Sequence, residues 1–402
     1  MAQVTARKRG TGWEYRFELA LVGGKRKQRS KGGYRTKGEA LKAGNEAYNF
    51  YITAGTTPIN TDTSVSDFIE KWIEVYAKPN LRRSTISTYT FLIEEHIKPK
   101  IGKYMMRSVT QRVLQGLLNQ MATDGYKRET IGSVKAIMRK AFAYASGELR
   151  VINPADSLTV PKNAASGNEK VQAYDMNTAA LYIENLQSTT GYYPAMIALH
   201  TGMRAGEILA LTWNDIDFEN RTIDINKTMS YANKKTFIGP VKSSKGYRTI
   251  SFGVELEKAL KRCKLEQTEH ELYYGEHYIF CYADKDHALF CHNKSENVLG
   301  MKRYDLVVRH ENGKYITQAT FYYRLKAALG TNFKFHNFRH SHATMLYEGK
   351  RPIKEIQERL GHASAATTLD MYVNPSSLDT ESVHVIEDAW AKRGQKNGNI
   401  AK

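Results

Sequence analysis

His336-Asn337-Phe338-Arg339-His340-Ser341-His342-Ala343-Thr344, then Leu360-Gly361-His362, then Thr367-Thr368-Leu369-Asp370-Met371-Tyr372, is the stretch from which the rest of this chain is read. His336 and Arg339 stand three residues apart, so on a helix they share one face. A guanidinium fork and an imidazole on one face suit a phosphate. The fork takes two oxygens, and the imidazole binds a third or moves a proton. The pattern predicts successive helices carrying the His336 box, the Ile353 to Leu360 segment and Tyr372.

Two further strings lie upstream: Thr201-Gly202-Met203-Arg204-Ala205-Gly206-Glu207 and Pro240-Val241-Lys242-Ser243-Ser244-Lys245. An arginine box, a lysine hairpin, His-x-x-Arg, Leu-Gly-His and a tyrosine ten residues after that last His, in this order, resemble the active-site signature of the tyrosine recombinases. That family comprises the phage and conjugative-element integrases. Asn337-Phe338 departs from the family's usual Asp-Leu, which alters packing behind the site and leaves the phosphate ligands in place.

The resemblance implies a mechanism. Strand exchange without loss of bond energy needs a nucleophile that stores the phosphoester, and the phenol of Tyr372 does this by forming a 3′-phosphotyrosyl link and freeing a 5′-hydroxyl. The transition state gathers negative charge on the non-bridging oxygens. Two permanently charged, forked arginines, Arg204 and Arg339, stabilise it without a metal or nucleotide cofactor. Lys242 is the general acid for the leaving 5′-oxygen. His336 accepts the Tyr372 proton or orients the phosphate, His362 hydrogen bonds to the phosphate, and Glu207 holds the site together. Taken singly, each is a surface charge or a core histidine; their joint occurrence decides. His340 and His342 have no matching motif role and are read as packing or polar contacts. Of 25 tyrosines only Tyr372 has the right offset, with Tyr347 the nearest decoy.

Bulk properties agree. The chain has 402 residues, room for two or three domains, a net charge of +18 and a pI near 9.5. Such a basic excess points to nucleic acid or an anionic membrane. No apolar run approaches the roughly 18 residues of a membrane span, and the N-terminus lacks a signal peptide's apolar core. The expectation is a cytoplasmic, nucleoid-associated bacterial DNA binder with no membrane partner. Three cysteines are too few for a disulfide framework and fit a reducing compartment. Cys281, His287, Cys291 and His292 invite a zinc reading, but their spacing matches no common pattern, so no metal is assigned.

The chain reads as a multidomain α+β protein. Residues 1–60 form a small N-terminal three-stranded sheet plus helix: Trp13, Tyr15, Phe17 and Leu19 alternate as a strand, and Thr36-Lys37-Gly38-Glu39 opens a helix to about Ile52. The basic run Lys25, Arg26, Lys27, Arg29 and Lys31 is either a solvated edge strand or a sheet laid in the major groove; the resemblance favours the second, an arm-type DNA-binding domain. Residues 61–157 read as a helical core-binding bundle, with Phe68, Trp72 and Val75 on one face and Ser84 capping a helix. Its candidate backbone contacts are Arg82, Arg83, Lys127, Arg128, Lys135 and Arg139. Polar residues 158–171 are the expected interdomain linker. Residues 172–402 form a mixed, mainly α catalytic domain with a β-hairpin carrying Lys242 and a C-terminal tail helix whose face is Val383, Ile386 and Trp390. Residues 272–316 read as irregular.

Three functions stay open at this point. They are an integrase that inserts and excises a mobile element, a type IB topoisomerase-like relaxing enzyme, and a catalytically idle DNA-binding regulator. The complete residue set argues against the third, and the basic N-terminal sheet argues against the second. The partners the resemblance implies are double-stranded DNA at core-type and arm-type sites, a tetramer on synapsed DNA, and accessory directionality or DNA-bending proteins.

Overall fold

The computed structural model describes residues 4–19, 28–54, 63–149, 153–166, 173–241, 243–296, 298–362 and 364. Lys25, Arg26, Lys27, Lys242, Tyr372 and the expected tail helix lie outside the described residues. The chain divides into two compact units, Met1–Glu169 and Lys170–Lys402.

The first unit opens with an antiparallel sheet of β1 (Thr5–Arg9), β2 (Gly12–Glu18) and β3 (Gln28–Tyr34), in that spatial order. Tyr15 and Phe17 point to one face of β2 and are 5% and 1% exposed. They pack with Ala47, Tyr48 and Tyr51 of α1 (Lys37–Ala54). Thr36 Oγ1 accepts from Glu39 N at 3.2 Å, and Glu39 Oε2 accepts from Arg35 N at 3.1 Å, so the start of α1 is capped as its sequence predicts.

Four longer helices follow: α2 (Val65–Trp72), α3 (Arg83–Leu92), α4 (Gln111–Thr123) and α5 (Arg128–Leu149). Their apolar faces close a core that includes Phe68, Trp72, Ile93, Leu114, Leu118, Ile131 and Phe142. Two details differ from the sequence reading. Val75 is 53% exposed and Ala77 fully buried, because α2 runs into a π-helical turn over Ile73–Ala77. The wider turn advances fewer degrees per residue and moves the buried face past Val75. The N-cap of α3 is Arg82, not Ser84, and no side chain caps it.

The expected linker is also corrected over its described part. Leu158 and Ala164 are buried in the helical core. Gln115 satisfies the backbone of Thr159 on both sides, donating to its carbonyl at 3.0 Å and accepting from its N–H at 3.0 Å, while Arg128 N donates to Ala165 O at 3.0 Å. A polar stretch is held because a distant amide answers its backbone groups.

The second unit starts with α6 (Met176–Asn185), α7 (Tyr192–Thr201) and the short α8 (Ala205–Ala210). Strands β4 (Ile216–Asp217), β5 (Thr222–Ile225) and β8 (Arg248–Ser251) form one antiparallel sheet, and β6 (Lys227–Ala232) with β7 (Lys235–Pro240) forms a hairpin. Asn233 and Lys234 turn that hairpin with φ of 48° and 61°, the signature of a type I′ turn. The neighbourhood of Lys242 is therefore the connection from β7 to β8, not the hairpin tip.

After α9 (Val254–Tyr274) the structure again differs from the sequence reading. Residues 272–316 contain β9 (Ile279–Ala283), β10 (Leu289–Asn293) and β11 (Lys302–Tyr304), a sheet in the order β10-β9-β11. Its strands are short and its turns polar, so their alternation is easily missed. Helices α10 (Gln318–Leu329), α11 (His336–Glu348) and α12 (Ile353–Leu360) complete the described fold. Among the described residues no helix is long and apolar enough to cross a membrane.

Candidate active site

Two left-handed glycines build the site. Gly202 ends α7 with φ 69°, and a Cβ there would meet His342 Cδ2 and Leu360 Cδ2 at 2.7 Å. Gly361 ends α12 with φ 66°. Gly361 N donates to Glu358 O at 3.0 Å and His362 N to Gln357 O at 3.1 Å, the paired bonds of a Schellman motif. Leu-Gly-His is thus a helix terminator that fixes where His362 emerges.

Each glycine turns its carbonyl, or its neighbour's, toward an arginine. Arg339 Nη1 donates to Gly202 O, and its Nη2 donates to Leu360 O at 2.7 Å. Arg204 Nη2 donates to Gly361 O at 3.1 Å. Arg204, Arg339 and the turn that carries His362, distant in the chain, are therefore drawn together, with His336 one turn before Arg339 at the start of α11. Arg204 is the N-cap of α8 and keeps 39% of its side chain exposed, whereas Arg339 is 1% exposed.

Glu207 sits one turn beyond Arg204 and is 4% exposed. It accepts from Arg204 N at 3.0 Å, from Arg204 Nη1 at 2.8 Å and from Arg248 Nη2 at 2.9 Å. Burial alone would raise its pKa, but the bonds and charges of Arg248 and Arg204 override this and hold it below the ordinary value. Sequence reasoning missed Arg248. It stands on β8, with Nε donating to Arg359 O at 2.7 Å and Nη1 to Gly246 O at 3.1 Å. Arg359, also missed, donates from Nε to His342 Nε2 at 3.0 Å and from Nη2 to Ser251 O at 2.9 Å. His342 Nδ1 then donates to Leu199 O at 2.8 Å, which fixes its neutral tautomer and makes it a polar strut.

The histidines are held neutral. His336 opens α11 with an exposed edge, and its ring meets His340 edge-on at 4.9 Å. Its pKa is lowered to about 4 by burial first, then by the charges of His340, Arg339 and Arg204. His362, 6% exposed, is lowered to about 4 by burial and by Arg339 and Arg204. A site that disfavours added positive charge this strongly is arranged for an anion. Behind it, Asn337 and Phe338 are buried, and Phe338 packs against Tyr174, Phe333 and Phe335. Beside it, a cavity of about 340 Å³ is lined by Lys245, Tyr247, Arg248, Lys354, Gly361 and His362 among others.

The expected DNA contacts are spread out. Arg29 and Lys31 face Phe17 and Tyr15 across β3 and β2, so they share the face that carries α1, at its exposed edge. The opposite face carries Arg7 and Arg9 on β1 and Arg16 on β2, all missed; Glu14 pairs with Arg7 and with Arg9, the latter at 3.1 Å. Arg82, Arg83, Lys127, Arg128 and Arg139 are exposed and Lys135 is half-buried. Arg128, Lys135 and Arg139 lie on one face of α5, with Arg139 also paired to Asp156 at 3.5 Å. Among the described residues no group of three or more His, Cys, Asp or Glu comes together to hold a metal. His292 is bound to Glu296 at 2.7 Å, and His287 lies in the turn before β10.

A model of the phage integrase family matches residues 170–378, one of the phage integrase N-terminal SAM-like domain matches residues 64–122, and one of an arm DNA-binding domain matches residues 4–49. The ICEBs1 integrase of Bacillus subtilis (strain 168) is 25% identical over 307 residues, covering 74% of this chain and 75% of that protein. The transposase from transposon Tn916 of Enterococcus faecalis is 26% identical over 318 residues, covering 75% and 73%. Among solved structures, the Tn1549 transposon integrase in complex with a circular intermediate DNA aligns with a TM-score of 0.64 at 20% identity, over 81% of this chain and 99% of that one. A lambda integrase dimer bound to a COC' core site aligns with a TM-score of 0.53 at 16% identity, over 92% and 95%. At 20% and 16% identity these likenesses are ones of fold.

Proposed function

The chain belongs to the phage integrase family, and from that premise we propose that Tyr372 attacks DNA within the cluster of Arg204, His336, Arg339 and His362. The protein is a tyrosine recombinase of conjugative-transposon or phage type, an enzyme that cleaves and rejoins DNA. The topoisomerase reading has no support among these relatives, which are integrases, transposases and recombinases.

The residue roles are our own reading. The observation that supports them is the convergence of Arg204 and Arg339 on the consecutive carbonyls of Gly361 and Leu360. It places two permanent charges beside His362 and upstream of Tyr372. Arg204, partly open to solvent, is the direct phosphate ligand, and Arg339 supplies charge from beneath. Because these charges do the work of a cation, the reading needs no metal or nucleotide. His336, neutral in the free protein, takes the phenol proton as the Tyr372 oxygen bonds to phosphorus. Lys242 returns a proton to the departing 5′-oxygen. Glu207 and Arg248 position Arg204 rather than touch DNA.

We read residues 1–60 as an arm-type contact, the helical unit as a core-site contact, and 172–402 as catalytic. We place the protein on nucleoid DNA in the cytoplasm, as a tetramer at synapsis with accessory bending or directionality proteins. One structural relative is a lambda integrase tetramer bound to a Holliday junction. The deciding experiment is Tyr372→Phe on a nicked suicide site. We expect normal DNA binding and no covalent adduct. An adduct that survives removes Tyr372 from the role and makes Tyr347, 47% exposed on α11, the next nucleophile to test.

A further inference from the structure

Cys281 and Cys291 take no part in the DNA chemistry, yet the fold sets them face to face. They are direct register partners on β9 and β10. In an antiparallel ladder, hydrogen-bonded and non-hydrogen-bonded pairs alternate. The bonds Lys294 N to Tyr278 O at 2.7 Å and Asp284 N to Ala288 O at 3.1 Å mark hydrogen-bonded positions at the two ends of this register. Counting inward from either end puts Cys281 and Cys291 at a non-hydrogen-bonded position. There facing Cα atoms are about 4.5 Å apart and side chains lean together, inside the roughly 4.4–6.8 Å window a disulfide accepts.

The Cys281 thiol donates to Gly313 O at 3.6 Å, which leaves its sulfur lone pairs free toward the facing strand. Cys281 is 3% exposed, while Cys291 is half-buried and reachable from solvent. The neighbouring Cys281 thiol, helped by the backbone at Tyr315 and the charges of Lys314 and His292, holds the Cys291 pKa below its ordinary value against the opposing effect of burial. Cys281 is correspondingly raised. One member of the facing pair is thus open to a reagent from solvent and the other is shielded behind it.

We propose that Cys281 and Cys291 are a redox-modification site, a dithiol that a hydroperoxide converts to an intramolecular disulfide. The Cys291 thiolate sulfur attacks one peroxide oxygen, the O–O bond breaks, and hydroxide leaves to become water. Cys291 is then a sulfenic acid, oxidised by two electrons as the peroxide is reduced. The Cys281 sulfur, giving up its proton, attacks the Cys291 sulfur. The S–O bond breaks, the S–S bond forms, and the hydroxyl departs with that proton as a second water. Overall, two thiols and hydrogen peroxide give one disulfide and two waters.

The position of the pair gives the crosslink a reach beyond its own sheet. The turn before β10 is tied to β7 by Ile238 N donating to His287 O at 2.9 Å and by the Phe237–Ala288 bridge. Strand β7 ends at Pro240, just before Lys242. Closing the disulfide braces the strand that leads to the proposed acid.

The test treats the full-length protein with graded hydrogen peroxide, counts maleimide-reactive thiols after denaturation, and maps an unreduced digest by mass spectrometry. The free-thiol count should fall from three to one. The Cys281 and Cys291 peptides should be joined with the loss of two hydrogens, and dithiothreitol should restore all three. Cys263 is the internal control, since burial raises its pKa to about 12 and leaves it 2% exposed. Cys291→Ser should keep both remaining thiols under the same treatment. A count that stays at three, a disulfide between two copies of the chain, or Cys291 driven to sulfinic acid while Cys281 stays reactive would overturn the proposal.

Discussion

Replacing Glu207 by glutamine keeps the shape of the side chain and removes the charge that two arginines share. In the folded protein the carboxylate is 4% exposed and Arg248 7% exposed, so neither can be rehydrated in place. Removing one partner from a buried ion pair costs about 3–5 kcal/mol, because the other charge is left uncompensated. The amide retains one acceptor oxygen for Arg204 or Arg248 but turns an N–H₂ toward the other, so the low end, about 3 kcal/mol, applies. For a unit of this size each kcal/mol moves Tm by about 2–4 °C, giving a drop of roughly 6–12 °C. A thermal melt followed by circular dichroism reads this directly. The sign with pH is also set. The folded Glu207 pKa lies below its ordinary value of 4.5, so the stabilisation is full above about pH 4.5 and is lost as pH falls through the folded value. Wild type and variant should therefore differ at pH 7 and converge in acid. A double variant with Arg248→Gln, which removes the stranded charge, should regain part of the loss. If Glu207→Gln melts within about 2 °C of wild type at pH 7, the carboxylate does not hold the arginines and the positioning role fails.

Lys242→Ala should cleave ordinary DNA slowly and recover on DNA with sulfur at the 5′-bridging position, since a thiolate leaves without a proton; no recovery shifts the acid role to Lys245. Deleting residues 1–60 should leave cleavage of a core site intact and abolish integration between two full sites, and wild-type integration by the truncated protein would sink the arm-binding reading. Free of DNA, the second unit should lose stability as pH drops from about 6.5 toward 4, because His336, His342 and His362 each have folded values of about 4 and their unfolded forms take up protons first. His342→Gln should make that slope of Tm against pH shallower, and an unchanged slope would show that His342 is not held neutral.

The sequence by itself settled what is local or repeated in a recognisable order. Leu360-Gly361-His362 was legible as a motif, and the structure adds that it is a helix terminator, built by its own few residues and a glycine that tolerates positive φ. Thr36 and Glu39 announced a cap because a helix start is likewise set by its own few residues. The order of the boxes along the chain carried the family. What only the tertiary structure decided is whatever depends on a partner far away. Nothing around Arg248 on its strand, or Arg359 near the end of its helix, marks them as more than surface charges. They matter because Glu207, His342 and the carbonyl of Ser251 arrive from other elements to meet them. The same holds for residues 158–166, polar in sequence yet anchored by Gln115, and for Val75, displaced from the core by a π-turn that no periodicity reveals. It holds for the facing thiols as well: Cys281 and Cys291 were two isolated cysteines until the register of β9 and β10 placed one opposite the other, because strand pairing is fixed by backbone hydrogen bonds and a shared core rather than by the spacing of residues along the chain.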